Sequence, residues 1–260
     1  MMPAQAALNV SQIDLPRLAN LIERNETGAT QVHLTFWSAK EPFPSFGIGH
    51  FIWVPPGVSV PFEATFLPMV RYVDQLHPAP SWLQAPKPVF PWRDRADFYQ
   101  AWSSERLAGL RHWLQQTKPE QAAFIVHRFK TQLKKRLQTV SAPQAQRLRQ
   151  RLSALTAFEA GMLACVDYAN FKGLGANLKE RYQGFGWGLL DVLVAMPPQA
   201  FAAPVSPKQT LTRFIHTAKA VLKRRTQWAP AHRNEERWLP GWYARVERYG
   251  AWLDDDNLAQ

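Results

Sequence analysis

The sequence predicts a mainly α (α+β) fold with one small β/loop lobe near residues 29–61, and three observations carry that expectation. Apolar residues recur at helical spacing through most of the chain. One stretch, Ala29 to Pro61, breaks this rhythm with β-branched and aromatic residues punctuated by Gly and Pro. A hydrophobic content of 46%, with 11 Trp and 15 Phe, is ample for a packed interior, so the 21 prolines mark turns rather than disorder. We expect a single domain over residues 1–260.

Leu15–Arg24 reads as the first helix, with Asp14 as N-cap, Pro16 at the first helical position, and Leu18, Leu21 and Ile22 on one face; it should end near Gly28. Short strands or irregular loops follow at Gln31–Trp37 and Phe46–Val54. A helix from Phe62 to Leu76 precedes an extended Pro-rich loop over residues 78–93, where Pro78, Pro80, Pro86, Pro88 and Pro91 exclude regular structure. Asp94 then caps a helix over Arg95–Gln116. Pro119–Gln138 and Pro143–Val166 read as further helices, the first with a basic face (Lys130, Lys134, Arg136) opposite Phe124, Phe129 and Leu133. Tyr168 to Gly175 is too glycine-rich to continue a helix, and Gly184-Phe185-Gly186-Trp187-Gly188 opens onto a helix at Leu189–Met196. Beyond a Pro-rich connector at 197–207 come helices at Thr210–Arg225 and up to Trp252, the last packed down by Trp238 and Trp242.

The 31 Lys and Arg outnumber 20 Asp and Glu, and a formal charge of +11 draws the protein toward polyanions. The basic residues are scattered over several segments without a recognised module, so nucleic acid is not the expected partner. A lone Cys165 excludes an internal disulfide and a Cys-rich zinc site, and its apolar neighbours make it a buried hydrophobe. The seven histidines lack metal-binding spacing, and Gly47-x-Gly49 lacks the third glycine of a dinucleotide fingerprint, so neither metal nor cofactor is expected. No run approaches the roughly 20 apolar residues of a membrane span. The first residues lack a basic end and an apolar stretch, so localisation stays open: periplasmic or secreted if a leader was removed, otherwise cytoplasmic.

The chemistry-bearing stretch is Leu21-Ile22-Glu23-Arg24-Asn25-Glu26-Thr27-Gly28, followed by Ser45-Phe46-Gly47-Ile48-Gly49-His50. A carboxylate in the last turn of an apolar helix sits near the negative end of the helix dipole and beside buried side chains, surroundings that disfavour its charged form. A general acid for glycosidic cleavage requires that. Glu23 is the nearby competitor, without the following glycine. In these residues the chain resembles the phage-type lysozymes and the wider lysozyme-like superfamily that includes lytic transglycosylases. There a helix ends in a catalytic glutamate near a glycine, and a small β-region carries a Gly-x-Gly-His turn. Tyr168-Ala169-Asn170-Phe171 with Gly173, after an apolar helix such as Leu155–Val166, is similar to the segment that lines the saccharide cleft. The chain also resembles a set of bacterial proteins sharing Phe-Gly-Ile-Gly-His-Phe-Ile-Trp and Arg-Trp-Leu-Pro-Gly-Trp, which bears on fold more than on activity.

The resemblance implies a lysozyme-like helical domain that binds and cleaves peptidoglycan or a related polysaccharide, with Glu26 as acid and Glu41 as base or nucleophile. Phage-type lysozymes carry an Asp before the turn, whereas Glu41 is the only acid between Ala29 and Ser45; Thr35 or Ser38 stands in the Asp position. A retaining mechanism needs a second carboxylate about 5–5.5 Å from the first, and an inverting one about 6.5–9.5 Å. Without it, a one-glutamate transglycosylase mechanism or a non-catalytic glycan- or envelope-protein-binding role remains. Ser45, His50, Tyr168, Asn170, Glu180 and Tyr182 are the expected substrate contacts, His50 being more often a structural residue in such surroundings. Glu180 is a lower-ranked second acid.

Overall fold

The computed structural model describes residues 13–27, 31–175, 181–198, 201 and 205–253. Among them are ten α-helices and one three-stranded sheet, so the chain is mainly helical, as its patterning predicts. The chain divides into two compact units: Asp14–Ile125, and Val126–Gln260 grouped with Met1–Ile13.

In the unit Asp14–Ile125, α1 (Leu15–Thr27) starts where Asp14 Oδ1 accepts the Arg17 backbone N–H at 2.9 Å, and it buries Leu18, Leu21 and Ile22. Pro16 falls second in the helix rather than first. The β/loop lobe is an antiparallel meander of three two-residue strands, β1 (Thr35–Phe36), β2 (Ser45–Phe46) and β3 (Phe51–Ile52), with Thr35↔Phe46↔Phe51 and Phe36↔Ser45↔Ile52 in register. Thr35, Phe46 and Phe51 are buried, which leaves Phe36, Ser45 and Ile52 on the outer face. The strands are shorter than the pattern predicts because Gly47–His50 is a turn between two of them.

Next come α2 (Phe66–Val73), α3 (Arg95–Gln100) and α4 (Glu105–Gln116). The single helix expected over Arg95–Gln116 breaks at Ala101–Ser104, because Ser104 caps a new start by accepting the Leu107 N–H. Asp94 caps α3 by accepting from Asp97. The Pro-rich loop, with one short 3₁₀ turn at Ser81–Leu83, delivers Trp82 and Trp92 to an aromatic core. Phe46 is its hub, 4.4 Å from Phe66, 5.9 Å from Trp92, 6.3 Å from Phe98 and 6.4 Å from Trp53, ring centre to ring centre. Each such pair adds about 0.5–1.5 kcal/mol to the area it buries. The unit boundary falls within α5 (Lys118–Thr139).

The second unit is built from α6 (Ala142–Thr156), α7 (Glu159–Lys172), α8 (Leu189–Ala195), α9 (Pro207–Trp228) and α10 (Leu239–Ala251). Ala157 and Phe158 part α6 from α7, where one helix is expected; Gly161 permits the corner, since a Cβ there would lie 2.1 Å from the Leu155 carbonyl. Every residue of α7 from Ala160 to Tyr168 is buried, including Cys165, whose thiol burial pushes up to about 12. Contrary to expectation, α7 continues through Tyr168 and Asn170 to Lys172, and stops at Gly173 with φ of 79°. Asp167, in the buried run, accepts from Arg245 Nε at 3.0 Å and Nη2 at 2.8 Å, and from Tyr249 Oη at 2.6 Å. Trp238, expected to pack the last helix down, is partly exposed, with the Arg237 guanidinium over its ring.

Candidate active site around Glu26 and His50

Glu26 lies in the last turn of α1, its side chain 15% exposed, with Oε2 3.5 Å from His50 Nδ1. That separation lies at the long edge of hydrogen-bond range, so the two side chains are in ion-pair reach of one another. The His50 side chain is 31% exposed, so both groups reach solvent.

The turn that presents His50 is pinned from below. Gly47 N–H donates to the Leu34 carbonyl at 2.8 Å and His50 N–H to the Gly47 carbonyl at 3.3 Å. Buried Gln121 accepts the Ile48 N–H at 3.0 Å while its amide donates to the Leu114 carbonyl at 2.7 Å and to Thr117 Oγ1 at 3.1 Å. The two glycines follow from this packing. Gly47 has φ of 69°, and a Cβ there would stand 2.3 Å from Gln121 Oε1; one on Gly49 would stand 2.8 Å from the Phe51 ring. His50 itself adopts φ of 47°, a left-handed conformation that costs a non-glycine residue about 1–2 kcal/mol. The turn holds the imidazole against α1 in spite of that cost.

Glu23 is a different kind of residue. It is buried, and both its oxygens lie on Lys118 Nζ, at 2.7 and 2.8 Å. A carboxylate so paired is committed to holding the start of α5 against α1.

Glu41 is exposed in the β1–β2 loop, where its carbonyl accepts the Trp37 indole N–H at 3.0 Å. In a meander successive turns lie at opposite ends of the strands, so that loop leaves the sheet at the end away from the His50 turn. Thr35 faces the core and accepts from Arg111, and Ser38 Oγ accepts the Lys40 N–H. Ser45 is half-buried on the outer face of β2, between Phe36 and Ile52.

Tyr168, Asn170 and Tyr182 belong to the second unit. Tyr168, expected as a saccharide contact, is fully buried: its hydroxyl donates to the Trp187 carbonyl at 3.0 Å, and burial raises its ionisation well above the ordinary tyrosine range. Asn170 is half-buried, and its Nδ2 is buried without a hydrogen bond among the described residues. The Tyr182 hydroxyl donates to Glu235 Oε1 at 2.6 Å and accepts from Arg233 Nη1 at 2.6 Å, while its ring lies 4.7 Å from Trp187. Glu180 lies outside the described residues.

Sequence reasoning missed Gln121 and Lys118. A glutamine in an apolar helix face and a lysine before a proline carry no local signal; only the fold brings them to the turn and to Glu23. No family model, curated protein or solved structure matches the chain.

Proposed function

We propose that the protein is a peptidoglycan-cleaving glycosidase of the one-glutamate kind, with Glu26 as its general acid. The observation that carries this reading is the pairing of a solvent-reaching carboxyl in the last turn of α1 with an imidazole on a strained, tightly pinned Gly-x-Gly-His turn. Strained backbone persists where the surroundings over-determine it, and such positions cluster at functional sites. The lysozyme-like assignment rests on these residues and their local geometry.

In the proposed reaction Glu26 gives its proton to the glycosidic oxygen as the bond from that oxygen to the anomeric carbon breaks. The resulting carboxylate then takes a proton from a hydroxyl of the same sugar as that oxygen closes onto the anomeric carbon. His50 is a positioning residue, its Nδ1 3.5 Å from Glu26 Oε2. The exposed Glu41 at the far turn and the committed Glu23 favour this scheme over one with two carboxylates. The same two observations favour, as second reading, a glycan- or envelope-protein-binding module without turnover.

Muropeptide release from purified sacculi, followed by chromatography and mass spectrometry, separates these readings. Glu26→Gln is expected to lower release by about 10²–10⁴-fold, while Glu41→Gln leaves it intact. Undiminished release by Glu26→Gln ends the catalytic reading; sedimentation of the wild type with sacculi, with no release, selects the binding module.

A further inference from the structure

The second unit contains a cleft that the proposed reaction does not use. It measures about 460 Å³, within the roughly 300–1,000 Å³ range of small-molecule sites. Arg136, Arg181 and Arg224 line it above an apolar floor that includes Leu148, Leu190 and Val194. A smaller recess shares Leu148 and Val194 with it and adds Arg147 and Arg151. Five guanidinium groups therefore surround one apolar surface, and Val194, 53% exposed, is among the few large hydrophobic residues left open to solvent.

The only acid lining this cleft among the described residues is Asp191, and it is already occupied. Its Oδ1 accepts from Arg181 Nη2 at 3.2 Å and its Oδ2 from the Gly188 N–H at 3.0 Å, at the start of α8. Two arginines are locked by backbone: Arg181 donates to the Gly184 carbonyl at 3.0 Å, and Arg151 to the carbonyls of Leu193 and Val194. Arg181 Nε is buried with no hydrogen bond among the described residues. Burial first, and then the neighbouring charge of Arg147, depress the Arg151 guanidinium. Arg224 lies over the Phe185 ring at 4.7 Å, and neither it nor Arg147 is in an ion pair among the described residues, while the charge of Arg136 acts on Asp191. The glycine turn before α8 supplies Gly184 and Gly186 to the same wall.

From this juxtaposition we propose that the cleft binds a small amphiphilic anion, an apolar body on the Leu148–Leu190–Val194 floor with a phosphate or carboxylate group among the arginines. Guanidinium forks match those oxyanions, and an apolar floor between them rewards an attached hydrocarbon or ring. The proposal is independent of Glu26, since every residue it uses lies in the other unit.

Calorimetric titration of the full chain with monomeric decyl phosphate tests it, beside inorganic phosphate and the neutral decyl maltoside. One decyl phosphate per chain is expected to bind, with inorganic phosphate at least roughly tenfold weaker and the neutral amphiphile without effect. Arg136→Ala/Arg224→Ala removes two cations that hold no backbone, and is expected to weaken binding by about tenfold or more. Val194→Glu leaves every arginine in place and puts a carboxylate on the floor; it is expected to abolish binding while circular dichroism and Tm stay unchanged. Equal binding by either folded variant, or by the neutral amphiphile, overturns the proposal. So does a short oligonucleotide that displaces decyl phosphate at moderate salt, which would make the cleft part of a nucleic-acid surface.

Discussion

The two units differ in the polar groups they bury. In Asp14–Ile125 the interior is a cluster of rings, and its buried Gln121 and Thr117 are neutral and serve a turn; Glu23 with Lys118 is its buried ion pair. In the second unit the buried polar groups are mostly charged and tie helix to helix: Asp167 to Arg245 and Tyr249, and Glu235 to Arg225 and Tyr182. A turn needs donors and acceptors at fixed places, which an amide supplies without the cost of burying charge. Helices can meet in many registers, and a paired charge selects one of them at some expense of stability.

The largest expected effects separate these strategies. Arg245→Met strands the Asp167 carboxylate and is expected to cost about 3–5 kcal/mol. The triple change Asp167→Leu, Arg245→Met, Tyr249→Phe removes the stranded groups together and should recover most of that loss. Phe46→Ala, in the other unit, should also cost about 3–5 kcal/mol, but through a cavity that no polar change can fill. Urea denaturation followed by circular dichroism measures all three. A triple variant no more stable than the single one would show that the ion pair holds the helices by its own energy, and the contrast would fail.

What the sequence reveals follows the same division. The aromatic unit announces its helix starts through Asp14 and Asp94, and its meander through Gly, Pro and β-branched residues, all local signals. The helical unit hides more. The capping box of Ser206 and Gln209 begins α9 at Pro207, three residues before the expected Thr210, and the Gly161 corner lies inside an apolar run that reads as continuous helix. At the candidate site, Glu26 and His50 were legible because helix end and glycine turn leave a pattern. Gln121, Lys118 and the arginine cleft were not, because each is assembled from residues far apart in the chain, and a tyrosine such as Tyr168 reads alike whether it faces a ligand or the core.

A smaller effect is expected from Gly49→Ala. The new methyl would press on Phe51 and on Ile125 Cδ1, 3.0 Å away, and overpacking of this kind costs about 1–3 kcal/mol. Under the proposed function, displacing the residues beside His50 should lower sacculus cleavage by more than the loss of folded protein accounts for. Wild-type release from a variant with lowered Tm would reduce the glycine to a packing role and separate the turn from the chemistry.

The smallest expected effect is a difference in acid sensitivity. Burial pushes the Glu235 carboxyl up, but hydrogen bonds from Arg225 and Tyr182 and the charges of Arg225 and Arg233 outweigh it and hold the group below the ordinary glutamate value of about 4.3. A depressed folded-state value contributes stability that is present above the unfolded value and lost as pH falls through the folded one. Tyr182→Phe deletes one of the hydrogen bonds and brings the folded value closer to the unfolded one. Its Tm should therefore lie below that of the wild type near neutrality, and the gap should narrow as pH falls from about 5 toward 3. A gap that is constant over that range would mean that the Tyr182 hydroxyl stabilises the unit without favouring the charged form of Glu235. The charge-based account of helix docking in the second unit would then rest on Asp167 and Arg245 alone.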